Sequence, residues 1–271
     1  MKFGICNEIF KEWEWEKTVS YVSSLGYDGI EIAPFTFAKS VKEISADKRK
    51  EIKDLAVQNN LEIIGLHWLL ASPEGLSISS QNKTVRERTI DYLKELVNFC
   101  ADLNGRLMIF GSPKQRDIPS SSTYEQTYNY AKECFLKTLP LAKERNVVIA
   151  LEPLTKKETN FINTAKEALK MIKEINHPNF KLHLDVKAMC GEEKEITEII
   201  KSSEGYLAHF HANDPNLSGP GFGEVKYEPI KEALEKIGYD KYISVEVFDF
   251  SPGPEVIAEK SIQYLKKILG L

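Results

Sequence analysis

Short apolar runs recur along the chain, and longer segments with apolar residues three or four positions apart separate them. The short runs are typical of strands buried on both faces, and the longer segments of amphipathic helices. We predict eight strands, at residues 2–7, 29–33, 62–69, 106–111, 147–152, 181–185, 207–211 and 243–247. Alternation of strand and helix favours a parallel sheet, and eight such units favour closure into an α/β (β/α)8 TIM barrel.

Local start and stop signals accompany the predicted helices, two of which span residues 85–103 and 165–175. Asp47 is placed to cap one helix, and Asn163 or Thr164 to cap the helix at 165–175, because their side chains accept hydrogen bonds from free backbone N–H groups. Glycine often ends a helix, since it adopts a left-handed backbone without strain. Three glycines follow predicted helix ends: Gly26, Gly105 and Gly238.

The length of the chain, 271 residues, fits one such barrel, and we expect a single domain over residues 1–271. An open doubly wound sheet has no support, because no GxGxxG sequence follows the first strand and no P-loop sequence occurs.

The charge balance and apolar content exclude several classes of partner. With 36 basic and 40 acidic residues, the net charge is only -4, which argues against nucleic acid as a partner. No apolar stretch is long enough to span a membrane, and the chain starts without a secretory signal, so we expect a soluble, cytoplasmic protein. The cysteines lack CxxC spacing, which predicts free thiols at Cys6, Cys100, Cys134 and Cys190.

Each of the last four predicted strands ends in or next to a residue able to bind a metal. These residues are Glu152, Asp185, His211 and Glu246. In a barrel, the carboxyl ends of the strands surround one pocket, so we expect the four side chains to meet there. Carboxylates and an imidazole without a thiolate suit one divalent ion such as Mn2+, Mg2+ or Co2+, with Zn2+ also open. Such an ion polarises a carbonyl while a neighbouring carboxylate moves a proton.

Five phrases of the sequence resemble the xylose-isomerase-like sugar isomerase/epimerase superfamily, and most closely its D-tagatose and D-psicose 3-epimerase branch. They are LEPL at 151–154, ETNF at 158–161, HLD at 183–185, HFHAND at 209–214 and SVE at 244–246. The resemblance implies a metal-dependent epimerase in which Glu152 and Glu246 move a proton next to a carbonyl through a cis-enediolate. It also implies that Glu158 helps to hold the substrate, and that a homo-oligomer can form.

Two features of the epimerase branch are missing. The branch has a histidine three residues after the metal-binding aspartate, where this chain has Ala188, and an arginine shortly after the metal-binding histidine, where this chain has none. Lys187 is the candidate cation for substrate binding in their place, with a solvated lysine as the alternative. His67, at the end of the third strand, is a further candidate for a substrate hydroxyl, with a structural histidine as the alternative.

Neighbouring residues are predicted to support the pocket. His183 and His209 lie two positions before ligands, so strand alternation places them on the same side and one layer deeper. The segments 71–82, 111–123 and 212–226 are rich in turn residues and are candidate substrate loops. Within the second of these loops, the run 114–116 (KQR) is either a contact for an acidic group of the substrate or a solvated surface.

We expect an isomerase or epimerase acting on a small-molecule sugar or a sugar-derived ketone. A lyase resembling inosose dehydratase, and a non-catalytic sugar-binding protein that keeps the metal site, are the alternatives. Endonuclease IV of the same superfamily uses three zinc ions. A chain with five histidines and none of the remaining ligands does not supply that set, which argues against DNA repair.

Overall fold

Eight parallel strands close into a barrel in the computed structural model, which describes residues 1–270. Each strand pairs with the next along the chain, and β1 pairs with β8. The strands are β1 (Lys2–Cys6), β2 (Gly29–Ile32), β3 (Glu62–Leu66), β4 (Leu107–Phe110), β5 (Val148–Leu151), β6 (Phe180–Asp185), β7 (Leu207–Ala212) and β8 (Tyr242–Val245). The predicted TIM barrel is confirmed.

Helices alternate with the strands around the outside of the barrel. The α-helices are α1 (Trp15–Ser24), α2 (Ala46–Gln58), α3 (Lys83–Asp102), α4 (Tyr124–Glu144), α5 (Ala165–Ile175), α6 (Val186–Met189), α7 (Ile196–Ser202), α8 (Tyr227–Lys236) and α9 (Pro254–Leu269). A 3-10 helix, Asn7–Phe10, follows β1 directly. Within residues 1–270, no helix combines the length and the apolar character needed to cross a membrane.

The strand predictions are correct in position and differ at the ends. The third strand was predicted to reach residue 69, but β3 ends at Leu66. The His67 N–H still donates to the Ile32 carbonyl at 3.1 Å, and Trp68 then takes a φ of 52°, which turns the chain out of the sheet. The turn points the next residues toward the mouth of the barrel, where the candidate site lies.

The helix caps follow the predictions in part. Thr164 caps α5 in a capping box with Glu167, as predicted. Asp47 was wrong as the cap of α2, because Ser45 accepts the hydrogen bond from the Lys48 N–H. Asp47 lies two residues after this cap, in the first turn of α2, where its charge still favours the helix dipole.

Two of the three glycines that were predicted to end helices adopt the left-handed backbone conformation. Gly26 and Gly238 have φ values of 83° and 67°. After α3, however, Asn104 takes this conformation, with a φ of 63°, and Gly105 follows it. Asparagine tolerates the left-handed region better than most residues, so it can end a helix without a glycine.

Close approach of β3 and β4 depends on a missing side chain. A Cβ atom at Gly65 would overlap the Leu107 carbonyl and its neighbouring backbone atoms. The two strands pair through Gly65 and Leu66 opposite Leu107 and Met108. Strand register at this point therefore requires glycine, and the register fixes where the end of β3 lies relative to the end of β4.

Candidate metal centre and active site

The structure brings the four predicted metal ligands together at the carboxyl ends of β5 to β8. Glu152 follows β5, Asp185 is the last residue of β6, His211 lies in β7, and Glu246 follows β8. All four are buried, and each offers one ligand atom within 4.8 Å of the others. Side chains from four successive strands thus surround a space of the size of one ion.

The chemistry of this donor set fits a divalent cation. Burial raises the pKa of Glu152 well above its usual range, and the charges of Glu246 and Asp185 raise it further. Burial also raises the pKa of Asp185, against the opposing charge of Lys187. Ionised carboxylates that crowd together away from water are unstable unless an opposite charge compensates them. A divalent ion held by Glu152, Asp185, His211 and Glu246 would supply that charge.

His211 and Glu246 form a direct pair at the centre of the group. The Nδ1 atom of His211 is 3.0 Å from Oε2 of Glu246. Burial alone would raise the pKa of Glu246, but the charge and hydrogen bond of His211 outweigh it and lower the pKa. Burial would likewise lower the pKa of His211, yet Glu246 and Glu31 raise it well above its usual range.

Glu31, on β2, holds His211 from the other side and was not predicted. Its carboxylate oxygens lie 3.2 and 3.3 Å from Nε2 of His211, and 2.6 Å separates it from Nε2 of His209. Burial opposes ionisation of Glu31, but the two imidazoles outweigh burial and lower its pKa. Carboxylates behind a metal-binding histidine commonly fix its ring orientation and tautomer. The available signal was an acid inside the otherwise apolar strand sequence GIEI.

Asn213, whose role was not predicted, holds Asp185 in place. Asn213 donates its side-chain amide to Asp185 Oδ2, and its own Oδ1 accepts from the Lys187 N–H at 2.8 Å. Asp185 Oδ1 in turn accepts from the Ala188 N–H at 2.7 Å and caps α6. These bonds fix the carboxylate in one orientation toward the group.

Arg116 supports Glu152 through its backbone carbonyl, so this residue of the run 114–116 is neither solvated nor free to contact a substrate. The side chain is 1% exposed, and it donates to the carbonyls of Glu152, at 2.6 Å, and Phe110, at 2.5 Å. Burial lowers the pKa of Arg116 to about 10, so the guanidinium remains charged at neutral pH. Arg116 therefore links the ends of β4 and β5 through hydrogen bonds to one carbonyl at each end.

Gly111 gives Glu152 the space that its carboxylate occupies. A Cβ atom at position 111 would overlap Glu152 Oε2. The backbone of Glu152 is fixed as well, because its N–H donates to the Phe110 carbonyl at 3.1 Å. The position of this carboxylate therefore depends on the absence of a side chain on the neighbouring strand end.

A cleft opens beside the four ligands and contains the predicted substrate residues Glu158 and His67. Its lining also includes Trp68 and Phe248, whose ring centroids are 6.3 Å apart. These two aromatic rings therefore form part of the wall of the cleft. The roles of Glu158 and His67 as substrate ligands remain predictions.

Lys187 lies at the edge of this cleft and is not solvated. Its Nζ atom is 2.6 Å from Glu158 Oε1 and 3.8 Å from the centre of the Phe248 ring. The other oxygen of Glu158 accepts from the N–H and the hydroxyl of Thr155. The solvated alternative for Lys187 is therefore wrong, while its contact with a substrate remains a prediction.

Two further histidines form the layer below the ligands, as strand alternation predicted. The ring of His183 is fully buried with its centroid 4.2 Å from that of His211, and Nε2 lies 3.9 Å from Glu152 Oε1. Burial lowers the pKa of His183 well below its usual range, so its ring is neutral. His209 is bound to Glu31, as described above.

The fold and the site together define a class of protein: a closed parallel (β/α)8 barrel with a buried carboxylate and imidazole group that can hold a metal ion. A family model described as "Xylose isomerase-like TIM barrel" matches residues 19–268. The chain belongs to that family.

Curated relatives are named as epimerases of ketose sugars. The chain is 29% identical over 260 residues to a D-psicose 3-epimerase of Ruminiclostridium cellulolyticum, covering 92% of this chain and 84% of the relative. It is 26% identical over 252 residues to an L-ribulose 3-epimerase of Mesorhizobium japonicum, covering 92% and 80%. Enzymes with these names are isomerases.

Solved structures show the same fold. A D-psicose 3-epimerase of Clostridium cellulolyticum H10, determined with D-tagatose, superimposes with a TM-score of 0.85 at 24% identity, covering 99% of both chains. A 3-keto-D-glucoside 4-epimerase of E. coli superimposes with a TM-score of 0.86 at 19% identity, covering 98% of this chain and 99% of that one. Because these two enzymes are named for different carbon atoms, the fold does not select the reacting carbon.

Proposed function

We propose that the protein is a metal-dependent sugar epimerase that inverts a carbon next to a carbonyl. The observation that supports this most directly is the group of Glu152, Asp185, His211 and Glu246, which converges within 4.8 Å at the mouth of the barrel. The names of the curated relatives favour a ketose as the substrate and its C3 atom as the reacting carbon.

The ligands of the ion would be these four side chains, and we propose Mn2+ as the ion, since carboxylates suit Mn2+ as well as Mg2+. When bound, the ion would polarise the substrate carbonyl and make the neighbouring C–H bond more acidic. In the proposed reaction, Glu152 and Glu246 act as the acid/base pair, one removing the proton and the other returning it to the opposite face. The intermediate between these transfers is a cis-enediolate.

Other residues of the chain would position the carboxylates and the substrate. Arg116 and Gly111 fix Glu152, through its carbonyl and through the free space beside its carboxylate. The ion pair of Lys187 and Glu158 borders the cleft, where it would bind hydroxyl or carbonyl oxygens of the sugar. Trp68 and Phe248 would contact the apolar faces of the sugar ring or chain.

Solvent exchange tests the proposal. Mn2+-loaded protein is incubated with a panel of ketoses in D2O, and proton NMR follows the loss of the signal at the reacting carbon. We expect an epimer carrying deuterium at that carbon. Glu246→Gln should lower the exchange rate by at least about 100-fold, because a positioned acid or base typically contributes that much or more.

A control variant distinguishes the loss of a catalytic group from a general effect of substitution on the protein. Glu228→Gln alters an exposed glutamate on α8, so we expect its exchange rate to equal that of the native chain. Unchanged exchange in Glu246→Gln would reject the role of Glu246. A product lighter than its substrate by one water would instead identify the lyase alternative, and ligand binding without any product the non-catalytic one.

A further inference from the structure

A second group of metal-ligand side chains lies next to the first; three of its members come from the first half of the barrel, and the fourth, Glu246, belongs to both groups. We name it the Cys6 group, and it consists of Cys6, Glu8, His67 and Glu246. Cys6 is the last residue of β1, Glu8 lies in the 3-10 helix after β1, and His67 follows β3. All members are buried, and each offers one ligand atom within 4.8 Å of the others.

Two members of the Cys6 group have polar atoms that nothing in the described chain satisfies. Glu8 Oε1 and His67 Nδ1 are both buried and have no hydrogen-bond partner, although Glu8 Oε2 and His67 Nε2 are 2.6 Å apart. Buried polar atoms without a partner are destabilising, so each such atom needs an explanation. An ion within the group would give both residues a further interaction.

The donor atoms of the Cys6 group lie near enough to one another to surround one ion. With metal bonds of about 2.0 to 2.3 Å to nitrogen, oxygen and sulfur, donor atoms of a tetrahedral zinc site are roughly 3.3 to 3.8 Å apart. The donor atoms of the Cys6 group all lie within 4.8 Å of one another, so a bound ion would draw the more distant donors closer.

The two groups differ in chemistry and share one residue. The first has three carboxylates and an imidazole, whereas the Cys6 group adds a thiol, which favours Zn2+ or Co2+ over Mn2+ or Mg2+. Glu246 Oε2 faces His211, which leaves Oε1 for the second group. Carboxylates that bind two ions about 3.5 to 4 Å apart are common in two-metal sites.

We propose that the Cys6 group binds a second divalent ion, of the zinc or cobalt type, and that Glu246 is shared between the two ions. Four protein ligands complete a tetrahedral shell, so this ion is structural: it joins the ends of β1, β3 and β8 and fixes Glu246. Binding would convert the Cys6 thiol to a thiolate and release its proton to solvent. The proposal shares only Glu246 with the function proposed above.

Metal stoichiometry tests the second site without reference to activity. The metal-free protein is loaded separately with Mn2+, Zn2+ and Co2+, freed of excess metal, and analysed for metal per chain. We expect one equivalent of Mn2+ and two of Zn2+ or Co2+, with a near-ultraviolet thiolate-to-cobalt charge-transfer band in the Co2+ protein. One equivalent of each metal and no such band would overturn the proposal.

Variants assign the second equivalent to its ligands. Cys6→Ser should lose the charge-transfer band and one equivalent of Zn2+ while keeping one of Mn2+. Cys190→Ser, at an exposed thiol outside the group, should keep both, and loss of the band in that variant would overturn the proposal. If Cys6→Ser does not fold by circular dichroism, His67→Gln takes its place with the same expected loss of one Zn2+ equivalent.

One more variant separates this proposal from the proposed function. Asp185→Asn removes a ligand that only the first group contains, so it should lose the Mn2+ equivalent and keep the charge-transfer band. Disappearance of the band in Asp185→Asn would assign it to the first group and overturn the second site. Retention of the band together with an inactive native protein would support the second site and reject the proposed function.

Discussion

Glu31 fixes the orientation of His211 although it contributes nothing to the candidate ligand group itself. It is fully buried in β2 and contacts Nε2 of His211 and of His209. Because Nε2 is occupied in this way, Nδ1 is the atom that His211 turns toward Glu246. The metal affinity of the site should therefore depend on a carboxylate from the opposite half of the barrel.

Replacing Glu31 by Gln should weaken Mn2+ binding by roughly 10- to 100-fold, the usual effect of losing such a partner behind a metal-binding histidine. The amide cannot supply the negative charge that stabilises His211. Competition with a chelating dye measures the affinity. Glu62→Gln, at the opposite end of the barrel, is the control and should bind Mn2+ as the native chain does. Equal affinity in the Glu31 variant would refute this role.

Gly111→Ala should lower activity by at least about tenfold, because the new methyl group occupies the place of Glu152 Oε2. The free energy of unfolding should fall by less than the free energy that this loss of activity represents. Steady-state kinetics and urea unfolding measure the two effects. Gly205→Ala is a suitable control, since a Cβ there meets nothing within 4 Å although φ is 75°. The control should lose stability by about 1 kcal/mol and no activity. Native activity in Gly111→Ala would contradict the steric argument.

The four candidate ligands could be found from the sequence because each stands at or beside the end of an apolar run. Glu31 could not be given a partner, since His209 and His211 are 178 and 180 residues away along the chain. Arg116 was missed for a similar reason: it lies in a loop rich in Gly, Pro and Ser, and only the folded loop turns it inward. Local patterns predict which strand ends carry ligands, but tertiary contacts determine what supports them.

Helices α3 and α4 are joined by a partly buried charge pair that adds to their apolar contact. Arg86, 8% exposed, donates to Glu133 Oε2 at 3.1 Å and to the carbonyls of Ser80 and Gln81. Glu133 also pairs with Lys137 on the same helix. The hydrogen bond from Lys137 lowers the pKa of Glu133, against burial, and Arg86 lowers it further.

The stability contributed by Glu133 should therefore depend on pH. A carboxylate whose folded pKa is lowered stabilises the fold above its unfolded pKa, about 4.3, and loses that contribution as pH falls through the folded pKa. Glu133→Gln should be less stable than the native chain by up to about 1 kcal/mol at pH 7, and the difference should be smaller at pH 3. Urea unfolding at both values measures the difference. A difference that stays constant with pH would exclude the charge as its origin.

Among the elements, strands were easier to predict than their ends or the loops. Apolar runs identified all eight strands, but the end of β3 depends on the left-handed turn at Trp68, which no propensity indicates for a tryptophan. The second residue of the candidate substrate loop at 212–226 is Asn213, whose side chain is buried and holds Asp185. The role of Asn213 was not predicted, because the residue lies in a polar stretch of sequence.

At the scale of the whole molecule, the pairing of β1 with β8 closes the barrel and joins the two ligand groups. Lys2 to Ile5 of β1 lie opposite Tyr242 to Val245 of β8, so Cys6 and Glu246 continue side by side beyond the paired strands. Closure was predictable from the count of eight units. The approach of Cys6 to Glu246 was not predictable, because it depends on the register of two strands that lie almost the full chain length apart.

Removal of metal should destabilise the whole barrel, since three carboxylates then remain crowded without a cation. An ion present at 100 times its dissociation constant contributes about 2.7 kcal/mol, which for a chain of this size is on the order of 5 to 10 °C in Tm. Calorimetry of Mn2+-loaded and chelated protein measures the shift. Asp185→Asn should show no Mn2+-dependent shift, and an equal shift in that variant would place the stabilising ion elsewhere.

Glu31 also bears on how such a barrel can be divided or recombined. All four side chains of the first ligand group come from β5 to β8, so a fragment holding only that half would carry the complete set. It would nevertheless lack the anion behind His211, which β2 supplies across the interior. Chimeras made by exchanging half-barrels between relatives should therefore transfer catalysis only when the incoming amino-terminal half brings its own acid at the position of Glu31.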